Sequence, residues 1–324
     1  MAITSHVYER LAGELAAAIR RGDWRPGQCL PTVRALAAER GLDPNTVNRA
    51  YRMLAQLGLV EAHARRGTVV RTLACPATTG APGEARHISC DCSHDFGMNL
   101  LARQLQDAGV ALELRICGST AALRALASGE TQLAGCHLID DDGQHYNHDA
   151  AARLLPGRPL RIITLAERSQ GLIVRQGNPL AIRSIADLAR PGIRLANRQS
   201  GSGTRVLLDR ILAAHGLTGA ELNGYDRELP THLAVAAAIA SGSADVGFGV
   251  AAAAYALELD FFPITSERYE LVLHEGSLDA PWFGPLIETM ASPRFHTALK
   301  ALGGYDTSYT AWIRSIRYSG EQQP

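Results

Sequence analysis

Apolar side chains in the first seventy residues follow a helical period and then a strand period. They recur every three or four positions over 6–21, which predicts an amphipathic helix. A segment with Gly and Pro, 22–31, ends that pattern, and two shorter helices are predicted over 32–41 and 43–58. The run LVEAHARRGTVVR, 59–71, predicts two short strands around an Arg-Arg-Gly turn. This order of elements predicts a helix-turn-helix followed by a β-hairpin wing.

Capping residues mark the second and third of these helices. Thr32 precedes the second helix and Gly41 follows it, while Asp43 and Pro44 open the third. A hydroxyl or carboxylate at the N-cap accepts a hydrogen bond from the first turn, and Pro fits that turn. Gly adopts the left-handed conformation that often ends a helix.

From position 87 onwards, short apolar runs alternate with helical patterns in the order β-α-β-α-β. The runs are HISCDC, FGMNLLARQLQDAG, ALELRIC, TAALRALASGE and LAGCHLI. Such alternation predicts an α/β domain with a largely parallel sheet. The preceding segment, LACPATTGAPGEARH, is rich in Pro, Gly, Ala and Thr without periodicity, which predicts a linker. We therefore expect a module over 1–72, a linker over 73–87 and an α/β domain over 88–316.

The composition is that of a globular chain with more than one domain. The chain has 324 residues, of which 46% are hydrophobic and 20% are charged. Its longest uncharged apolar stretch, VGFGVAAAAYAL (246–257), is shorter than the roughly 20 residues that a membrane span needs. The N-terminus has no basic segment followed by an apolar core, so no secretory signal is expected. We expect the protein to act in the cytoplasm.

The net charge of zero conceals an asymmetry between the two predicted domains. Residues 1–72 hold eleven arginines, no lysine and six carboxylates, a formal charge of +5, which leaves −5 for the remainder. A small basic module on a larger acidic domain predicts that the N-terminal part has a polyanion as its partner.

Neither the cysteines nor the histidines have the spacing of a metal site. The six cysteines form no CxxC pair, and in a cytoplasmic chain we expect most of them to be reduced and buried; they are Cys29, Cys75, Cys90, Cys92, Cys117 and Cys136. The segment HLIDDDGQHYNHD (137–149) has three His and four Asp but matches no zinc or EF-hand pattern. We expect a solvated loop there, with His137 near the ligand cleft, and neither a metal nor a cofactor.

The N-terminal module resembles the GntR-type winged helix-turn-helix family. The resemblance spans residues 8–70 and rests on GDWRPGQCLPTVRALA followed by NTVNRAY. It implies a DNA-binding module whose third helix meets the major groove at its start. Asn and Arg can read base edges in pairs of hydrogen bonds, and hydroxyl and backbone groups can hold phosphates. The residues that the resemblance places at DNA are Arg34, Asn45, Thr46, Asn48, Arg49, Arg65, Arg66 and Gly67.

Four polar loops of the larger domain each follow a predicted strand and precede a predicted helix. They are CSHDF (92–96), CGST (117–120), NRQSGSGTR (197–205) and LPTHL (229–233). In open α/β sheets ligands collect at the carboxyl ends of strands, where helix N-termini offer free N–H groups and positive potential. Two or three such loops facing each other would form a cage for a small tetrahedral oxyanion.

The larger domain resembles the type 2 periplasmic-binding-protein fold, in the molybdate-binding-like subgroup. The resemblance rests on ordered segments that include SHD (93–95), GST (118–120), AGCHLID (134–140), NRQSGSGTRVLLD (197–209) and THLAVAAAIASGSADVGFGV (231–250). It implies two lobes joined by crossover strands, one over about 88–165 and 265–316 and the other over about 166–264. The residues that it places at the ligand are Ser93, Ser119, Thr120, Ser202, Gly203, Thr204, Arg205, Thr231 and His232.

Several alternatives stay open at this point. Ser202 and Thr204 could serve only as helix caps, and Arg205 could be a structural brace paired with Asp209. A hydroxyl cage suits dianions such as molybdate, tungstate or sulfate, whereas phosphate needs an acceptor for its proton, for which Asp95 is the candidate. The other possible ligands are a sulfur oxyanion, phosphate and a small organic acid. A further alternative is that the domain serves only for dimerisation.

An enzyme fused to the DNA-binding module is the more distant alternative. A pyridoxal-phosphate enzyme needs a Schiff-base lysine, and the single lysine, Lys300, lies in a helical run away from the Gly-rich loops. SGSGTR lacks the GK[ST] ending of a nucleotide-binding loop. We therefore expect a non-enzymatic homodimeric regulator that binds double-stranded operator DNA and senses an oxyanion, with molybdate or tungstate favoured.

Overall fold

The structure is a computed structural model. It describes residues 7–21, 24, 27–56, 59–63, 66–70, 86–143 and 145–316. Arg65, Cys75 and most of the predicted linker lie outside these residues.

The N-terminal module has the predicted order of three helices and a hairpin. Its elements are α1 (Val7–Arg21), α2 (Val33–Arg40), α3 (Pro44–Gln56), β1 (Val60–His63) and β2 (Gly67–Val70). The Thr32 hydroxyl accepts from the Ala35 N–H, Gly41 ends α2 with φ 62°, and the Asp43 carboxylate accepts from the Asn45 N–H. These contacts confirm the capping residues predicted for α2 and α3.

The core of this module includes two side chains from the far end of the chain. Leu11, Val47 and Leu54 are buried at its centre, and the same hydrophobic cluster contains Tyr309 and Trp312. The winged helix therefore packs directly on the C-terminal part of the larger domain.

The larger domain alternates strands and helices as predicted. Its strands are β3 (Arg86–Cys92), β4 (Val110–Ile116), β5 (Leu133–Cys136), β6 (Leu160–Val174), β7 (Leu195–Arg198), β8 (Glu228–Leu229), β9 (Val246–Val250), β10 (Asp260–His274), β11 (Tyr305–Asp306) and β12 (Trp312–Ser315). Its helices are α4 (Phe96–Asp107), α5 (Ser119–Ser128), α6 (His148–Leu154), α7 (Gly203–Ala214), α8 (His232–Ala240), α9 (Ala251–Tyr255), α10 (Phe283–Ala291) and α11 (Pro293–Ala301).

Two long strands join the two halves of this domain. The sheet order is β4-β3-β5-β10-β6-β9-β7-β8, with β11 and β12 also pairing with β6. Strands β6 and β10 pair antiparallel along their whole length, because one carries the chain into the second lobe and the other returns it. The parallel pairs lie within each lobe, as in β3–β4 and β7–β9. The sheet is therefore mixed, and the prediction of a largely parallel sheet holds only within the lobes.

Strand β3 begins at Arg86, which belongs to the segment predicted as a linker. The parallel pairing of Arg86 with Val110 and of His87 with Ala111 draws these two residues into the sheet. The exact domain and lobe boundaries stay predictions.

Candidate functional site

Helices α5, α7 and α8 begin around one point between the two lobes. Helix α5 begins at Ser119 in the first lobe, and helices α7 and α8 begin at Gly203 and His232 in the second. Each follows a strand, as the sequence pattern predicts. Their N-termini contribute positive potential at this point, about half an elementary charge per helix.

His137, at the end of β5, links the first lobe to the second. Its Nε2 lies 3.0 Å from the Ser93 Oγ, and its backbone N–H donates to the Ser119 Oγ at 3.3 Å. A Cβ added to Gly203 would lie 2.5 Å from the His137 ring. Gly203 is therefore required for the close approach of α7 to His137, and the two lobes meet here.

An ion-pair network crosses the site at the crossover strands. Arg168 of β6 binds both Asp95, the N-cap of α4, and Glu267 of β10, and all three side chains are buried. Burial acts against the Arg168 charge, but Glu267 and Asp95 outweigh it and raise the pKa of the guanidinium. The Tyr305 hydroxyl donates to Asp95 at 2.7 Å. With one arginine and two carboxylates, the network carries a formal charge of −1.

Arg198, beside this network, forms no ion pair of its own with a carboxylate among the described residues. Its side chain is 2% exposed, and it donates only to the carbonyls of Leu229 and Pro230, while its Nη1 has no partner among the described residues. Burial, with the nearby Arg168 charge, lowers the pKa of Arg198 to about 10. A buried guanidinium without a carboxylate partner is the arrangement that an anion would complete.

Other buried polar atoms around Arg198 also lack hydrogen-bond partners among the described residues. They are the Gln170 Oε1, the His94 Nδ1, both ring nitrogens of His232 and the Arg168 Nη2, which is ion-paired with Glu267 but makes no hydrogen bond. Burial, followed by the charges of Arg198 and Arg168, lowers the pKa of His232 well below its usual value. Orphaned polar atoms are rare in protein interiors, so several together indicate a ligand site. We name Arg198, Gln170, His232 and His94, with the hydroxyls of Ser93, Ser119 and Thr204, the polar cluster.

The structure brings most of the predicted ligand residues to the polar cluster. Thr204 accepts from the Gln170 amide at 3.0 Å, and Ser202 and Thr231 are the N-caps of α7 and α8. Arg205 instead pairs with Asp209 and Glu228 and stacks 3.8 Å from the Tyr225 ring centroid. The pair with Asp209 is the structural brace that was one of the two alternatives for Arg205 in the sequence. Direct ligand contact by any of these residues stays a prediction.

Thr120 directly follows Ser119 of the polar cluster and lines a neighbouring cavity. This pocket of about 630 Å³ lies between α5, α6 and α7, and its wall also includes Val206 and Arg210. None of the orphaned polar atoms lines this pocket, which sets it apart from the polar cluster.

Sequence reasoning did not assign Arg168, Gln170 and Glu267 to the site. They lie in β6 and β10, whose runs are otherwise largely apolar, and are no more than 1% exposed. The available signal was the pattern LAERSQGLIV, where polar residues interrupt a strand that is apolar on both faces. Pairing of β6 with β10 sets Ser169 opposite Ser266 and Arg168 opposite Glu267, a long-range register that one segment cannot reveal.

The predicted DNA-contacting residues form an exposed face of the winged helix. Arg34 on α2 and Asn45, Asn48 and Arg49 on α3 are exposed, and Thr46 is half-buried. Arg66 and Gly67 are exposed at the hairpin turn, where Gly67 has φ 81°. The apolar side of α3 packs inward and its polar side is exposed, with the Arg49 guanidinium 5.2 Å from the centroid of the Tyr8 ring.

The described part of the chain contains no group of three or more His, Cys, Asp or Glu side chains placed to hold a metal. The described cysteines, Cys29, Cys90, Cys92, Cys117 and Cys136, are free thiols.

In the segment 137–149, the Asp140 carboxylate accepts hydrogen bonds from the backbone N–H groups of His148 and Asp149. Burial raises the pKa of Asp140 to about 6.

Comparison with known proteins agrees with this architecture. Residues 101–291 match the model of the PBP superfamily domain, and residues 7–70 match that of bacterial regulatory proteins of the gntR family. The chain belongs to the PBP superfamily and carries a GntR-family DNA-binding domain. It is thus a GntR-family transcriptional regulator with a ligand-binding domain of the periplasmic-binding-protein type.

Individual relatives match parts of this regulator. It is 34% identical over 223 residues to the uncharacterized protein YvgK of Bacillus subtilis, which is 68% of this chain and 71% of that protein. Over 64 residues, 20% of this chain and 53% of the other, it is 41% identical to the HTH-type transcriptional regulator Rv1152 of Mycobacterium tuberculosis. A substrate-binding protein from Clostridium perfringens with bound phosphate has a TM-score of 0.50 at 15% identity, covering 71% of this chain and 100% of that one. That likeness establishes the fold alone.

Among the residues that the structure describes, no helix combines the length and the apolar character of a membrane span.

Proposed function

We propose that this regulator binds a small oxyanion at the polar cluster and converts that binding into a change in operator affinity. The observation that carries the proposal is Arg198, a buried guanidinium with an unpartnered donor beside the start of α7. A regulator that binds DNA would act in the cytoplasm, and the anion would be sensed there.

The charge balance of the site supports an anion. Arg168 and Arg198 offset Asp95 and Glu267, so the ionised side chains sum to zero. Helices α5, α7 and α8 add a positive potential equivalent to roughly one to two elementary charges. A ligand with one or two negative charges would balance that potential, whereas a cation would add to it.

The test is calorimetric titration of the full chain with molybdate, tungstate, sulfate, thiosulfate, phosphate and small organic acids. Molybdate and tungstate are the anions that the family resemblance favours. Tight binding of any oxyanion, together with an altered affinity for operator DNA, supports the proposal. An absence of binding across the panel overturns the oxyanion assignment and leaves the DNA-binding domain unaffected.

The C-terminal segment 305–312 offers a route from the polar cluster to the winged helix. At one end, Tyr305 donates to Asp95 and pairs with Arg168 in the sheet. At the other, Tyr309 and Trp312 join the winged-helix core, and Arg268 of β10 lies over both rings. Ligand-dependent movement of the crossover strands would therefore reach the DNA-binding module through these two aromatic side chains. In a homodimer, this would change how two winged helices meet a two-fold operator.

We expect Trp312→Leu to uncouple the two domains. Anion affinity and anion-free operator affinity should stay within about threefold of wild type, while the anion no longer shifts operator affinity, a coupling typically of about 1–3 kcal/mol. Fluorescence anisotropy with and without anion measures this. Trp282→Leu is the control, because Trp282 is equally buried but packs within the first lobe. Retained coupling in Trp312→Leu would contradict the route.

We expect Arg49→Ala to weaken operator binding by about 1–3 kcal/mol, because Arg49 is exposed near the start of α3 and can contact a base edge or a phosphate. The measurement is anisotropy on an operator selected from random duplex DNA, at two salt concentrations. Arg183→Ala, an exposed arginine of the second lobe, should leave affinity unchanged. Equal effects of the two substitutions would contradict the assignment of α3 to DNA.

A further inference from the structure

The charge of Glu267 fixes which groups of the polar cluster donate hydrogens and which accept them. Burial acts to raise the pKa of this carboxyl, but Arg168 and His137 outweigh it and hold the pKa at about 2. Glu267 is therefore ionised and can only accept hydrogen bonds. Its Oε2 lies 2.9 Å from the His137 Nδ1, and its Oε1 lies 2.7 Å from the Gln170 Nε2. Both nitrogens must carry hydrogens directed at this carboxylate.

This arrangement sets the direction of the Ser93 hydroxyl. Burial lowers the pKa of His137, so the ring is neutral, and with a hydrogen on Nδ1 its Nε2 is an acceptor. The Ser93 Oγ, 3.0 Å away, must donate its single hydrogen to that nitrogen. Toward a ligand Ser93 therefore offers lone pairs and no hydrogen.

The Gln170 amide is fixed in the same way. Its Nε2 donates to Glu267 and to the Thr204 Oγ1, and turning the amide over would set its oxygen against the Glu267 carboxylate. The Oε1 thus keeps its place in the polar cluster as an acceptor, and it is fully buried with no donor among the described residues. His232, neutral and with both ring nitrogens unpartnered, adds one further acceptor and one donor.

The same contacts leave donors available at the site. Thr204 and Ser119 accept hydrogen bonds from Gln170 and from the His137 N–H respectively, and neither hydroxyl donates to another described residue, so their hydrogens are available to a ligand. The Arg198 Nη1 is a further donor. The polar cluster therefore presents donors and bare acceptors together.

We infer that the ligand is a small oxyanion that keeps a proton near neutral pH, with hydrogen phosphate as the simplest member of the class. Its oxygens would accept from Arg198 and the hydroxyls, and its O–H would donate to the Gln170 Oε1 or the Ser93 Oγ. Molybdate, tungstate and sulfate are fully deprotonated and would leave those acceptors facing an anion. This inference rests on the proposed anion site and names its ligand class.

Asp95, the acceptor that the sequence suggested for a phosphate proton, is already occupied. One carboxylate oxygen accepts from the Met98 N–H, and the other accepts from Arg168 and the Tyr305 hydroxyl. Gln170 and Ser93 take that role instead.

The test compares three tetrahedral dianions by calorimetry at neutral pH: hydrogen phosphate, monofluorophosphate and sulfate. Monofluorophosphate replaces the O–H of hydrogen phosphate with fluorine at nearly the same size. We expect hydrogen phosphate to bind at least about tenfold more tightly than either of the others, because a buried acceptor left without a donor is costly.

The possible results separate this inference from the proposed function. Equal or tighter binding of monofluorophosphate, sulfate, molybdate or tungstate would overturn the ligand class and leave oxyanion sensing intact. An absence of binding by every oxyanion would overturn both.

Two variants identify the acceptor. Gln170→Met removes the bare oxygen, so the ratio of hydrogen phosphate affinity to monofluorophosphate affinity should fall toward one. Thr204→Val removes a donor used by both anions, so both affinities should fall and the ratio should persist. An unchanged ratio in Gln170→Met would show that Gln170 does not accept the ligand proton. If Gln170→Met does not fold, as judged by thermal denaturation, the wild-type comparison of the three anions still decides the ligand class.

Discussion

Gly203→Ala should reduce affinity for the bound oxyanion by roughly 10- to 100-fold, because overpacking by a single methyl group costs about 1–3 kcal/mol. The new Cβ would lie 2.5 Å from the His137 ring and 2.8 Å from the His137 carbonyl oxygen. His137 belongs to the first lobe and Gly203 to the second, so the lobes would have to separate to relieve the clash. The backbone of Gly203 does not have a positive φ, and alanine is otherwise suited to this helical position.

The measurement is calorimetry alongside thermal denaturation of the ligand-free protein. Ligand-free stability should be nearly retained, since lobe separation relieves the contact without unfolding either lobe. Gly276→Ala is the matched control, because an added Cβ there meets nothing within 4 Å. Normal anion affinity in Gly203→Ala would mean that the contact between His137 and α7 is not part of the bound state.

Arg168→Met should lower the free energy of unfolding by about 3–5 kcal/mol at neutral pH, because it leaves Asp95 and Glu267 buried without their shared cation. The control is Arg294→Met, which removes an exposed pair with Asp107 and should cost less than about 1 kcal/mol. Urea denaturation of the three proteins measures the difference.

The deficit of Arg168→Met should shrink as the pH falls. In the wild type, the pKa of Glu267 is about 2, below its unfolded value, so its stabilisation is present above the unfolded pKa and is lost as the pH falls toward 2. In the variant, burial without Arg168 raises that pKa, and protonation relieves the uncompensated charge. A deficit that stays constant between pH 7 and pH 4 would show that the Arg168 contacts are not mainly electrostatic.

The winged helix was predictable because its signals are local. Thr32, Gly41 and Asp43 each act on neighbours within a few residues, and helical periodicity separates the buried side of α3 from its polar side. The attachment of this module to Tyr309 and Trp312 was not predictable, because those side chains lie near the other end of the chain and no local pattern indicates their partner.

The ligand site was predictable only in part, for the same reason. Ser119, Ser202 and Thr231 each stand between a strand and a helix, and that position alone places them at the carboxyl end of the sheet. The ion-pair network could not be predicted from such local positions. Arg168 and Glu267 each lie in a short polar run within a long strand, and which charges they meet depends on which strand lies opposite.

The sequence by itself determined the two domain types, the capped helices of the winged helix and the loops at which the sensor helices begin, because these follow from composition, periodicity and short-range hydrogen bonding. Only the tertiary structure decided which hydroxyls still have a hydrogen to donate, which acceptors stay bare, and that Arg198 is buried without a carboxylate while Arg205 is paired. Those properties depend on burial and on partners brought together across the crossover strands, and no local pattern encodes them.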